Sequence, residues 1–145
     1  MPVKIILISL IFLTSGCASF NAAEDLSKQG YSQMTAPEIM QKVKGGVTVY
    51  VIDRMHTPGA PVAHYYAEDG SMNSSYLKKK GDGWKTGGKW SVTEDATLCH
   101  AWKKWGTHCY YVFVKPGAVT TYVHAKYGFV NHTEVRVALA NPENF

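Results

Sequence analysis

The sequence predicts a mostly β fold: a small antiparallel β-barrel of about eight strands, preceded by one short α-helix. Two observations carry this expectation. After Gly46, apolar and polar residues alternate with a period of two along most of the chain. Turn signals, among them Asp69-Gly70, Lys115-Pro-Gly117 and Tyr127-Gly128, cut that pattern into short runs. Closure of the sheet would also remove exposed edges that invite unwanted pairing.

The helix comes first. Thr35-Ala-Pro-Glu38 has the form of a capping box, in which the Glu38 carboxylate reaches back to the Thr35 amide. Pro37 is tolerated in a first turn, where its missing donor has no partner to lose. Ile39, Met40 and Val43 form an apolar stripe at helical spacing, and Gly45-Gly46 ends the helix.

The strands follow in order. Val47–Ile52 alternates, with Val47, Val49 and Val51 on one side. A turn-rich connection from His56 to Pro61 leads to Val62–Tyr66. Glu68–Ser71 turns the chain into a strand from Met72 to Leu77, and Lys78–Gly83 forms a loop. Gly88–Thr93 is the next strand, with Ala96–Trp102 and Gly106–Val114 as a hairpin around Lys103–Trp105. Val119–Ala125 and Phe129–Ala138 make a last hairpin around Gly128.

Upstream of the domain, Lys4 and the apolar run Ile5–Leu13 read as a secretory leader, too short for a bilayer span of about 20 residues. Leu13-Thr-Ser-Gly-Cys17 resembles a bacterial lipobox. The resemblance implies a signal peptide over 1–16, lipidation of Cys17 and a lipid-anchored tether over 17–34. The β-barrel domain then occupies 35–145. With Ala18 and Ser19 after the cysteine, it implies an outer-membrane lipoprotein facing the periplasm, partnered to the membrane through its anchor.

In that oxidising compartment Cys99 and Cys109 are expected to form a disulfide. If Lys103–Trp105 is the turn, the two cysteines stand opposite one another, at a separation that suits a bridge. The spacing is not Cys-x-x-Cys, which favours a structural staple over redox chemistry.

Several stretches taken together are similar to the bacterial family called domain of unknown function 995, and more loosely to small lipocalin-like periplasmic barrels. They are Gly45-Gly-Val-Thr-Val49, Tyr65–Gly70, Gly88-Lys-Trp90, Leu98-Cys-His-Ala-Trp102 and Cys109-Tyr-Tyr-Val112. The resemblance covers Thr35 to about Val114 and implies an exported, β-rich domain; it carries no catalytic residues.

Candidate sites are few. The cysteine register also pairs His100 with His108, and a loop centred on Gly128 would set His124 near His132. Such pairs are weak candidates for zinc or copper, because no carboxylate stands at fixed spacing beside them. His100 and His108 share a face with Leu98, Trp102 and Tyr110, which favours buried imidazoles with local partners and no metal. Trp90 and Trp102 fit the core, whereas Trp84 and Trp105 fall in loops. Lys78, Lys79, Lys80, Trp84, Lys85 and Trp105 form a candidate partner-binding rim that suits an anionic glycan or an envelope protein.

The formal net charge of +4 is far from a nucleic-acid-binding composition. No Gly-x-Ser-x-Gly, His-Glu-x-x-His or phosphate-cradling loop is present, so no catalytic residue and no cofactor is expected. The expected function is a lipid-anchored binding module of the cell envelope. The alternatives are an inhibitor of a secreted hydrolase and a carrier of a small apolar ligand.

Overall fold

The computed structural model describes residues 21–53, 61–77 and 85–139. The leader, Cys17, and Lys78, Lys79, Lys80 and Trp84 of the expected rim lie outside the described residues. The elements are α1 (Ala22–Lys28), β1 (Ser32–Gln33), α2 (Ala36–Val43), β2 (Val47–Asp53), β3 (Pro61–Tyr66) and β4 (Ser71–Tyr76). They continue with β5 (Lys85–Val92), β6 (Leu98–Trp102), β7 (Gly106–Val114), β8 (Thr121–His124) and β9 (Val130–Leu139). Among the described residues no helix is long and apolar enough to cross a membrane.

Strands β2 to β9 close into an eight-stranded antiparallel barrel. Each pairs with the next in sequence, and β9 returns to β2. Because side chains alternate across a strand, the register decides which residues enter the bore. Val47, Val49 and Val51 face inward from β2, and they stand opposite Tyr66, His64 and Val62 of β3. The same parity runs through Leu98 and Tyr110, and through Val112 and Tyr122.

Helix α2 sits at the end of the barrel where β2 begins. Glu38 accepts from the Thr35 amide at 2.7 Å and from the Thr35 hydroxyl at 2.8 Å, as the capping box requires. Gly45 and Gly46, at φ 99° and 72°, turn the chain sharply from the helix into β2. Ile39 and Val43 are fully buried in one cluster with the bore residues Val47, Met72, Leu98 and Val112. One end of the bore is therefore apolar and plugged. Lys42 and the half-buried Glu134 of β9, 2.8 Å apart, hold the helix in place.

The stretch 17–34, expected to be a tether, is folded from Ala22 onward. Helix α1 buries Ala22 and Leu26 against Phe113 and Val123 on the outer face of the barrel. The two-residue strand β1 extends the sheet along β7, with Ser32 opposite Val114. Two apolar positions four residues apart in a polar stretch are too sparse a pattern to read as a helix without the surface they cover.

Cys99 and Cys109 stand opposite each other in the β6–β7 ladder and are bonded, with Cα atoms 4.0 Å apart. They lie on the outward parity, so the residues on either side, Leu98, His100, His108 and Tyr110, face the bore. Next to them, Gly88 stands opposite Trp102, and a Cβ there would overlap the Ala101 carbonyl and press on the indole.

Replacing both cysteines by serine is expected to lower stability by about 2–3 kcal/mol through the unfolded state. Urea unfolding without reductant checks this, and an unchanged midpoint would remove the staple from the account. Gly88→Ala is expected to cost about 1–3 kcal/mol, because the obstruction is backbone and cannot rotate away. Its thermal midpoint against the parent chain is the measurement.

Candidate functional site

The inward parity brings five histidines together. His64 enters from β3, His100 from β6, His108 from β7, His124 from β8 and His132 from β9. All but the half-buried His108 are buried. They occupy the bore on the side away from α2, towards the β6–β7 and β8–β9 turns. The rings of His64 and His100 meet at 5.3 Å between centroids, and those of His64 and His132 at 5.6 Å. Strands β3 and β6 stand three apart in the ring of eight, so the first contact crosses the bore and fills it at that level. Tyr110 bridges the group, 5.2 Å from His100, 5.1 Å from His132 and 5.4 Å from His124.

Hydrogen bonds assign the protons. The Trp105 carbonyl only accepts, so His108 Nε2, 2.9 Å away, carries a proton and donates it. His108 Nδ1 is then an acceptor, and His124 Nε2 donates to it at 3.2 Å. His124 Nδ1 in turn accepts from the Lys126 amide at 3.2 Å. The result is a directional chain of neutral imidazoles running from the β8–β9 turn to the β6–β7 turn.

The other three rings are held separately. Ser74 Oγ donates to the Ala63 carbonyl at 3.2 Å, which leaves His64 Nδ1, 2.7 Å away, as the donor to Oγ. Asn131 Nδ2 donates to His132 Nε2 at 2.8 Å. Burial holds the Tyr66 hydroxyl protonated, and it is hydrogen-bonded to His100 Nε2 at 3.0 Å. His100 Nδ1 is buried without a hydrogen-bond partner among the described residues.

The structure places the sequence-predicted residues as follows. His100 and His108 are opposite each other in register, as expected. His124 and His132 are not cross-strand partners. The β8–β9 turn is centred ahead of Gly128, so the His124 amide donates to the Phe129 carbonyl and Val123 pairs with Val130; Asn131 is then an extra residue in β9, which sets Tyr122 opposite His132. His124 instead stands opposite Tyr110 and bonds to His108. His64 was not among the candidates, although its place in Val62-Ala-His64-Tyr-Tyr66 puts it on the inward parity.

For a metal, the chemistry of this donor set is poorly suited. All four nitrogens of the His108–His124 pair are already engaged in three hydrogen bonds: to the Trp105 carbonyl, to the Lys126 amide and to each other. Among the described residues no group of three or more His, Cys, Asp or Glu is arranged to hold an ion.

The expected rim is partly described. Trp105 is 49 % exposed, its ring edge resting on Trp102 at 5.9 Å, with Lys103 and Lys104 exposed beside it. In the β8–β9 turn, Tyr127 is 57 % exposed, stacked on Phe129, with the Lys126 ammonium 5.2 Å from its ring centre. Neither Lys126 nor Tyr127 was expected in the rim. Lys85 begins β5 at the same end and lines a surface hollow of about 230 Å³ with Asn73, Thr86 and Gly87. Trp90 and Trp102 behave as core residues: the Trp90 indole donates to the Ala67 carbonyl and packs edge-on against Tyr66.

No family model, curated protein or solved structure matches this chain.

The buried imidazoles make stability depend on pH. Burial holds His100 well below the usual imidazole value, helped by His64, His132 and His108 around it. His124 is lowered first by burial, then by His108, His132 and Lys126. The unfolded chain therefore takes up protons before the folded one does. Stability is fully present above the unfolded imidazole value of about 6.5 and falls below it, by up to about 1.4 kcal/mol per pH unit for each such histidine. Urea midpoints measured between about pH 7 and about pH 5 are expected to decline steadily. A flat profile would show that these rings are already charged when folded.

Proposed function

We propose that this protein is a binding module of the bacterial cell envelope. It is lipid-anchored through Cys17 and recognises an anionic glycan with the turn-bearing end of its barrel. The observation that carries this reading is the pairing of two exposed aromatic rings with three lysines on neighbouring turns. Trp105 sits with Lys103 and Lys104, and Tyr127 with Lys126. Strands β7 and β8 are hydrogen-bonded neighbours, so the two turns stand side by side.

Core packing gives no reason for such rings to face water. Their faces suit the C–H surface of a sugar, and the lysines suit its anionic substituents. The lipobox-like Leu13–Cys17 supports the anchor, and the resemblance to the domain of unknown function 995 supports an exported setting. The ring contacts that cross the bore weigh against the carrier reading, since a carrier needs open volume there. The inhibitor reading has no particular feature in its favour.

Binding to lipopolysaccharide and to a neutral polysaccharide of similar size, measured by calorimetry, tests the proposal. Preference for the anionic glycan is expected, with affinity falling as salt rises. Trp105→Ala is expected to weaken binding about tenfold, equivalent to about 1.4 kcal/mol. Equal binding to both polysaccharides, or an unaffected Trp105→Ala variant, would sink the reading.

A further inference from the structure

The hydrogen bonds of His108 and His124 join the same two turns from beneath. His108 is tied to the Trp105 carbonyl, and His124 accepts from the Lys126 amide. The link between the two halves is the single bond from His124 Nε2 to His108 Nδ1. We infer that this pair is a proton-operated latch between the Trp105 turn and the Lys126–Tyr127 turn, closed while both imidazoles are neutral and open when either takes a proton.

The geometry leaves a proton no tolerated position. On His108 Nδ1 it faces the Nε2–H of His124, donor against donor at 3.2 Å. On His124 Nδ1 it faces the Lys126 amide, also at 3.2 Å. Either way one bond of the chain becomes a repulsion, and one turn loses its tie to the other.

Among the described side chains, the surroundings offer the new charge little compensation. Around His124 stand Tyr110 of β7, His132 of β9, and Tyr127 and Phe129 of the following turn, with the Lys126 cation nearby. His100 of β6 faces His108. Glu134, on the inward parity of β9, is already engaged by Lys42 and the Tyr122 hydroxyl. Asp53 of β2 stands opposite His132 in register, one strand further round.

The opening is local. Ala125 remains bonded to the Cys109 carbonyl and Gly128 to the His124 carbonyl, and neither bond involves an imidazole. The disulfide holds β6 to β7 throughout. The latch lies under the surface assigned above to glycan binding, but it rests on the imidazole geometry and stands or falls without that assignment.

The test uses the full chain with ¹⁵N-labelled histidine and no glycan. At about pH 7.5 both rings are expected to be neutral and protonated at Nε2. On acidification to about pH 5, exchange of the Lys126 amide, corrected for its intrinsic rate, is expected to accelerate about tenfold. In the double variant His108→Gln with His124→Gln, each amide offers a donor and an acceptor but no titrating nitrogen, and the acceleration is expected to vanish. The proposal is overturned by an Nδ1–H tautomer in either ring at neutral pH or by unchanged Lys126 protection in acid. The same acid response in the double variant overturns it too, since the response would then belong to other histidines. Should the double variant not fold, the tautomers and the Lys126 exchange of the unaltered chain decide the matter.

Discussion

The register of the β6–β7 pair is the constraint on which the rest depends. A sheet has a side-chain period of two, so a slip of one residue exchanges bore for solvent along the whole strand. Bonding Cys99 to Cys109 removes that freedom. With the sulfurs outside, Leu98, His100, Tyr110 and Val112 are inside, and β5 and β8 take their registers from the same pair. Closure through β9 and β2 then carries the parity round to His64 and His132.

Closure also creates an energetic problem. Eight strands leave a bore just wide enough to be filled by side chains, and among the described residues this one receives five imidazoles. Buried polar atoms without partners are costly, so the rings must satisfy one another and the backbone. They do so largely through neutral tautomers: His108 and His124 in a chain, His64 on Ser74, His132 on Asn131 and His100 on Tyr66. The apolar half under Ile39 and Val43 carries the hydrophobic stabilisation, and the imidazole half ties the turns. Division of labour along the barrel axis follows from which end α2 plugs.

The surface follows from the interior. The β6–β7 and β8–β9 turns stand over the imidazole half, and Trp105 and Tyr127 are presented from backbone positions that those rings hold. Exposed aromatic side chains on fixed turns lose less entropy on binding than the same rings on loose loops. The bulge at Asn131 serves this arrangement twice. It supplies the donor to His132 and turns that ring into the bore although Val130 lies on the outer face.

Much of this was legible along the chain. Alternation and turn residues are local properties, so the barrel strands, the capped helix from Thr35 and the cysteine register could be read residue by residue. The inward placement of His100 and His108 followed from the same parity. Contact, by contrast, is not a local property. That Ala22 and Leu26 make a helix depends on Phe113 and Val123 lying beneath it. That His132 enters the bore although Val130, two residues before it, lies on the outer face with Val123 depends on one extra residue, and a bulge leaves no mark in a pattern of period two. That His64 joins the group depends on closure, which brings β3 across from β6. By itself the sequence determined which face each side chain takes along an unbroken strand, because one strand is enough to set parity there. Only the closed barrel decided which of those faces meet, because ring contacts across a bore belong to no single strand or hairpin.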